Sequence, residues 1–482
     1  MGVPKKSMAV NALLNCIKQC CIIVFPLITF PYVSRVLGPT NYGKFSFASS
    51  IISYITLIAG LGINNYAIRE GARVRKDKNR FSKIASEIFS INILTTIVAM
   101  LILTGMIGLW TKLKEYREIL LILSLSVIFT TVGADWINSA YEDYLYITIR
   151  YIACNLVSIG CIFVFVRNEN DYIIYSIITV LPVIIANIIN CYHIEKTLGI
   201  KKRFVINFDL NVHIKPIFLI FATAVAQVIY INSDITIIGV SCGDKFAGNY
   251  SVAAKIYTLV KQLINSLMIV AIPRISNMME NIDLYYVKDK LTKTFNVVFI
   301  LLVPMSTGLF MLRREVVLII SGTEYQEAIA PLGVLSVSLF FASIACFYIN
   351  VIMLPYKMEK KIFIYTVISA VINIIFNFVL IPLIGITAAA ITTLFSEIIM
   401  FGCGAVNTRD FVSYSKKPIL CGLLSGGLVF VVCLIMRKCM SYPVLVLICS
   451  IAVSSTGFLA ICFGVYGKDI IMMLKVRKWG RS

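Results

Sequence analysis

Apolar residues in this chain run on for about twenty positions at a time, with short polar or basic connections between the runs. A helix rises about 1.5 Å per residue, so each run is long enough to cross the hydrocarbon layer of a bilayer. Fourteen such runs are predicted, at 11–33, 44–66, 84–109, 119–140, 148–166, 172–192, 216–240, 247–272, 294–312, 331–354, 362–383, 386–406, 418–436 and 443–466. A membrane barrel would instead need strands of about ten residues alternating with period two. The pattern therefore predicts an all-α polytopic membrane protein with about 14 transmembrane helices.

Composition agrees, with 59% hydrophobic and only 14% charged residues among 482. The net charge of +20 adds an orientation. Short loops rich in Lys and Arg stay on the cytoplasmic side, and the connection after the second run carries Arg69, Arg73, Arg75, Lys76, Lys78, Arg80 and Lys83 against Glu70 and Asp77. With the N-terminus inside, thirty Lys and Arg fall on inner segments, counting Arg150 at a span end, and ten on outer ones. Both termini are thus expected in the cytoplasm. The same bias accounts for the basic balance without nucleic acid. Lys5 and Lys6 precede the first run, which lacks a small-residue cleavage site and reads as a retained helix.

Nearly all of the fourteen cysteines lie inside apolar runs and behave as small hydrophobes. Cys16 and Cys20 are one turn apart, but no His or acid stands near them to complete a metal site. His193 and His213 fall in a polar connection and read as loop residues. No metal or cofactor is expected.

The longest inner connection, 193–215, divides the chain into an N-terminal lobe at 1–200, a cytoplasmic linker at 201–215, and a C-terminal lobe at 216–482 with two extra helices and a basic tail. The halves share a weak repeat. Leu37-Gly38 followed by Gly43-Lys44-Phe45-Ser46-Phe47-Ala48 recurs as Ile238-Gly239 followed by Gly248-Asn249-Tyr250-Ser251-Val252-Ala253. Each copy opens the second span of its half, as in a transporter built from two parallel, pseudo-symmetric lobes.

Polar residues inside the runs follow helical spacing. Ser251, Lys255, Thr258, Gln262 and Asn265 share one face of the eighth run, with Tyr257 and Lys261 beside it. Thr223, Gln227, Tyr230 and Asp234 do the same on the seventh, Ser49, Ser53, Thr56, Gly60 and Asn64 on the second, and Asn11, Asn15 and Lys18 on the first. Ser369, Asn373 and Asn377 are expected only to bond between helices. Lys18 and Lys261 lie too deep to reach the interface and are expected to face a wet cavity without partners. Glu397 has no obvious partner, and Glu87 and Asp135 sit near span ends. Pro26, Pro31, Pro273, Pro304 and Pro382 read as kinks or helix ends.

The run PLITFPYVSRVLGPTNYGKFSFASSIISYITLIAGLGINNYAIRE (Pro26 to Glu70) resembles the opening of Wzx-type polysaccharide repeat-unit flippases, relatives of multidrug and toxin extrusion (MATE) transporters and lipid II flippases. Shorter similarities occur at DWINSAYEDYLYITIR (Asp135 to Arg150), YINSDITIIG (Tyr230 to Gly239), NYSVAAKIY (Asn249 to Tyr257) and PRIS (Pro273 to Ser276). The chain departs from the family at Ser139-Ala140, often Gln-Gly there, and at Ile235, often basic.

The resemblance implies a MATE-like fold of fourteen helices that is not an enzyme. Its role would be to pass an undecaprenyl-diphosphate-linked glycan from the inner to the outer leaflet of a bacterial plasma membrane, for capsule or O-antigen. Expected partners are that glycan, membrane lipids, a coupling H+ or Na+, and the polysaccharide polymerase machinery. The substrate pathway is expected to include Lys18, Arg35, Asn64, Gln227, Tyr230, Lys255, Tyr257, Lys261 and Gln262. Asp234 and Glu397 stand between ion coupling and a structural salt bridge. A polar path suits sugars, and cations suit a diphosphate.

Two other readings compete. A drug antiporter of the same fold needs cavity-facing carboxylates, whereas the stripes set Lys18, Lys255 and Lys261 against Asp234 alone. A membrane glycosyltransferase or polymerase needs placed acids or a metal site, and the sequence has no Asp-x-Asp motif or large connection.

Overall fold

The structure is a computed structural model and describes residues 8–205, 210–269, 284–413 and 415–479. Among these every regular element is helical. Helix α1 (Met8–Gly60) has 53 residues, which would reach about 80 Å if straight, over twice the hydrocarbon thickness. It does not run straight. Gly38 leaves the helical region at φ 67° and ψ 171°, and the rings of Phe30 and Tyr42 come within 5.9 Å, where twelve residues of straight helix would separate them by about 18 Å. Pro39 then restarts the helix in the position where a missing N–H is harmless.

Next come α2 (Ile63–Val74) and α3 (Lys78–Leu109). The Asp77 carboxylate caps α3 by accepting from the Asn79 and Arg80 amides at 3.0 and 3.1 Å, a contribution of about 1 kcal/mol. The chain continues through α4 (Arg117–Gly133), α5 (Trp136–Ala140), α6 (Tyr144–Phe165), α7 (Tyr172–His193), α8 (Leu210–Ser241) and α9 (Asp244–Ile269). Beyond it lie α10 (Leu284–Met311), α11 (Arg313–Ser321), α12 (Ile329–Cys346) with a π-helical extension at Phe347–Met353, α13 (Glu359–Ile384), α14 (Ile386–Thr408), α15 (Lys416–Cys439) and α16 (Pro443–Trp479).

Eleven helical stretches among the described residues are long and apolar enough to cross a membrane, the first of them being Leu13–Val74. Large apolar side chains on these helices, such as Leu101, Phe378 and Leu423, face outward. Water would penalise that arrangement and lipid does not. The protein is a multi-pass helical membrane protein. Pro26, Pro31, Pro304 and Pro382 sit inside α1, α10 and α13, and Pro273 lies outside the described residues.

The chain forms two units, 1–251 and 252–482, with the boundary inside α9. In the first, Phe47, Ile51 and Ile55 of α1 pack with Leu103 of α3 and Leu120 and Leu123 of α4. In the second, Met311, Leu312, Val429, Cys433 and Val446 form a cluster joining α10, α15 and α16.

Helices α13 and α14 are also bonded by polar side chains. Ser369 Oγ donates to the Ser396 carbonyl at 3.1 Å, and Thr392 Oγ1 donates to Asn377 Oδ1 at 2.5 Å. The packing role expected for Ser369, Asn373 and Asn377 is the one they have.

Part of the connection expected at 201–215 is bonded to α3. The Arg203 and Val205 amides donate to Ser86 Oγ and Ser90 Oγ at 3.1 and 2.8 Å. Lys202 donates to the Val132 carbonyl, and burial pushes its ammonium below the usual lysine range.

Candidate functional site

The glycines of the sequence repeat meet. A Cβ placed on Gly43 would lie 1.9 Å from the Asp244 carbonyl oxygen, and one on Gly248 would lie 1.9 Å from the Pro39 carbonyl oxygen. The contact is reciprocal, and it corrects the register read from sequence. Gly38 corresponds to Gly243 rather than Gly239, because each takes a positive φ (67° and 94°) directly before a helix start and five residues before its packing glycine. The signal was present in the equal spacing of Gly38 to Gly43 and Gly243 to Gly248.

Around this crossing several side chains serve backbone or carboxylate partners. Lys112 Nζ donates to the Gly239 and Val240 carbonyls at 2.6 and 2.7 Å, a cation at the C-terminal end of α8 where the helix dipole favours it. Tyr116 donates to Asp244; burial and that bond push its phenol well above the usual value. Tyr250 Oη donates to Asp234 Oδ2 at 2.5 Å, and Asp234 is 5% exposed. Two residues on, Thr236 meets the Ser50 and Tyr54 hydroxyls at 2.9 and 3.1 Å.

A second polar cluster joins α5, α6 and α7. Arg150, buried, donates to Asp135 Oδ1. The same oxygen accepts from Asn138 at 2.9 Å, and Asn138 in turn donates to Asn190 Oδ1 at 2.6 Å. Nearby, Arg75 donates to Glu142 Oε1 at 2.5 Å. Asp135, read as a span-end acid, is therefore an internal partner. His193, read as a loop residue, ends α7 with Nε2 3.0 Å from Asp143 Oδ2 and its ring stacked on Tyr146 at 3.6 Å. The His213 side chain lies outside those described.

Above Asp135 opens a cavity of about 460 Å3, lined in part by Ser53, Thr56, Gly60 and Asn64 of the polar stripe, and by Asn92 and Asn232. In the second unit, Lys261 and Tyr257 leave the stripe of α9 and turn to α14. Lys261 Nζ donates to Glu397 Oε1 at 2.8 Å, and Tyr257 Oη donates to the same oxygen at 3.4 Å. Lys261 was expected without a partner and Glu397 had none in view; the fold pairs them across 136 residues of sequence. Burying either charge alone would cost several kcal/mol.

The other pathway residues are spread through the chain. Lys18 is half-buried with Nζ 5.8 Å from the Tyr151 ring centroid. Arg35 and Gln227 are exposed, and Tyr230, Lys255 and Gln262 are half-buried. Thr223 has no described side chain. Among the described residues no group of His, Cys, Asp and Glu has the arrangement of a metal site.

The profile of the polysaccharide biosynthesis protein family matches residues 8–279. The chain belongs to that family. The PRIS stretch of the sequence resemblance falls outside the described residues, and the resemblance as a whole holds. A relative from Escherichia coli (strain K12), named "Putative O-antigen transporter", is 24% identical over 399 residues, covering 82% of this chain and 95% of its own. A Shigella dysenteriae protein of the same name is 23% identical over 386 residues, 78% and 94% of the two chains.

Among solved structures, the lipid II flippase MurJ in an inward closed conformation overlays with a TM-score of 0.76 at 17% identity, over 96% of this chain and 100% of that one. An inward-facing multidrug resistance MATE family transporter of the MOP superfamily gives 0.61 at 13% identity, over 85% and 94%. At such identities the overlays establish the fold, which this polysaccharide biosynthesis protein shares with both.

Proposed function

We propose that this protein is a flippase for lipid-linked oligosaccharide repeat units in polysaccharide biosynthesis. The observation that carries this reading is the nearly end-to-end alignment with the Escherichia coli relative, 82% of this chain and 95% of that one. The lipid II flippase fold supports it. In finer detail, the carrier is undecaprenyl diphosphate, and passage runs from the inner to the outer leaflet of a bacterial plasma membrane. Fourteen crossings follow if α1 counts twice and α4 and α9 count once each. Both termini are then cytoplasmic, and the lobes that work in transport are 1–200 and 216–482, joined by 201–215. Polysaccharide polymerase machinery then acts on the delivered repeat unit.

Lys18, Arg35 and Lys255 suit the diphosphate, while Asn64, Gln227, Tyr230, Tyr257 and Gln262 suit sugar hydroxyls. A coupling H+ or Na+ would act through Asp234 or Glu397, each a buried carboxylate that accepts from a tyrosine. The antiporter reading loses ground because Lys261 already neutralises Glu397. No bond is made or broken by the protein in this scheme.

Deletion of the gene, followed by leaflet-resolved measurement of lipid-linked glycan, tests the proposal. Accumulation on the cytoplasmic face, reversed by the reintroduced chain, is expected. Undiminished glycan display without the protein overturns the reading, and efflux of cationic dyes by purified protein in vesicles favours the antiporter.

A further inference from the structure

The cavity above Asp135 is lined by neutral polar side chains and one carboxylate. Thr56 Oγ1 and Thr130 Oγ1 donate their protons to the Ile52 and Ser126 carbonyls at 2.8 and 2.7 Å, which leaves their lone pairs for a guest. Asn232 Nδ2 donates one proton to the Val228 carbonyl at 2.9 Å, which leaves its amide oxygen and its second N–H for a guest. Asn92 Oδ1 is buried and accepts no hydrogen bond from the described residues, so a donor placed there would satisfy it. Asp135 meets Arg150 and Asn138 through Oδ1, so Oδ2 takes neither of these bonds.

Among the described residues no lysine or arginine lines the cavity, and Trp136 forms part of its wall. A diphosphate carries negative charge, and among these residues it would meet the Asp135 carboxylate and no side-chain cation. A sugar ring offers several hydroxyl donors and an apolar face for an indole. At about 460 Å3 the space falls within the range of small-molecule pockets.

We infer that this cavity is the subsite for the sugar end of the transported molecule and excludes its diphosphate. The assignment rests on the flippase reading and narrows it. The two chemical halves of one substrate are recognised by different parts of the chain, with this cation-free polar pocket sampling glycan identity.

The chain holds three tryptophans, at 110, 136 and 479. Trp110→Phe with Trp479→Phe leaves Trp136 as the only indole reporter. In detergent, this protein is titrated with the free oligosaccharide released by mild acid from the lipid-linked pool of its own strain, and separately with inorganic pyrophosphate. The oligosaccharide is expected to shift Trp136 emission saturably and pyrophosphate to leave it unchanged. Asn92→Leu and the near-isosteric Thr56→Val should each weaken the half-saturation by about tenfold, the loss of one hydrogen bond. Thermal unfolding of both variants checks that they are folded.

A pyrophosphate response without a sugar response overturns the assignment, as does unchanged sugar binding in both folded variants. A strain test separates the two levels of the argument. If the reporter protein restores glycan display in a deletion strain while Trp136 stays silent to the oligosaccharide, the subsite is wrong and transport stands. If display never depended on the gene, both fall.

Discussion

Lys261 Nζ donates to Glu397 Oε1 at 2.8 Å and ties α9 to α14 inside the apolar part of the second unit. Glu397 is 6% exposed, so removal of its partner strands a carboxylate where solvation is poor. Lys261→Met and Glu397→Leu should each lower stability by about 3–5 kcal/mol, whereas the two together should regain most of it. Thermal unfolding of the four proteins in detergent measures the coupling. Strictly additive losses would mean the two groups do not interact.

This pair also marks what could be read from the sequence. Helix positions, the membrane class and the polar stripes follow from periodicity within single segments, and the family from one contiguous run at Pro26 to Glu70. Partners 136 residues apart leave no such trace. Lys261 was visible as an intramembrane cation and Glu397 as an intramembrane acid, yet only packing brings α9 to α14. Asp135 and Arg150 were obscured in the same way. The glycine register differs, because its spacing was legible and only the wrong glycine of the second copy was matched.

Gly43 and Gly248 allow backbone to touch backbone. An alanine at either position sets a methyl group 1.9 Å from a carbonyl oxygen, and nothing flexible can yield. Gly43→Ala and Gly248→Ala should each abolish monodisperse protein in size-exclusion chromatography. Gly105→Ala is the control, since a Cβ there has nothing within 4 Å and should gain about 0.5–1 kcal/mol of helix stability.

Arg150 serves Asp135 from a buried position over the Tyr146 ring, 5.1 Å to the centroid. Arg150→Gln should cost about 1.5–3 kcal/mol, the worth of a hydrogen bond to a charged group, because the Asp135 carboxylate left behind is partly exposed, and Arg150→Lys should cost less. Denaturation midpoints in detergent give the order. Equal losses in the two variants would argue that the guanidinium acts through shape alone.

Orientation is open to a direct check. In a background without native cysteines, Lys76→Cys should escape a membrane-impermeant maleimide applied to intact cells, and Glu169→Cys should react. The thirty-to-ten distribution of cations motivates the expectation. The reverse labelling pattern rejects it.

The glycine crossing says something about origin. Pro39 and Asp244 stand four residues before Gly43 and Gly248, and each supplies the carbonyl that the other copy's glycine admits. That is an isologous contact, the kind two identical surfaces make about a two-fold axis. A half-length ancestor bearing one such glycine would already have been self-complementary as a homodimer. Fusion of its gene to a duplicate would then have turned an association between subunits into a fold within one chain.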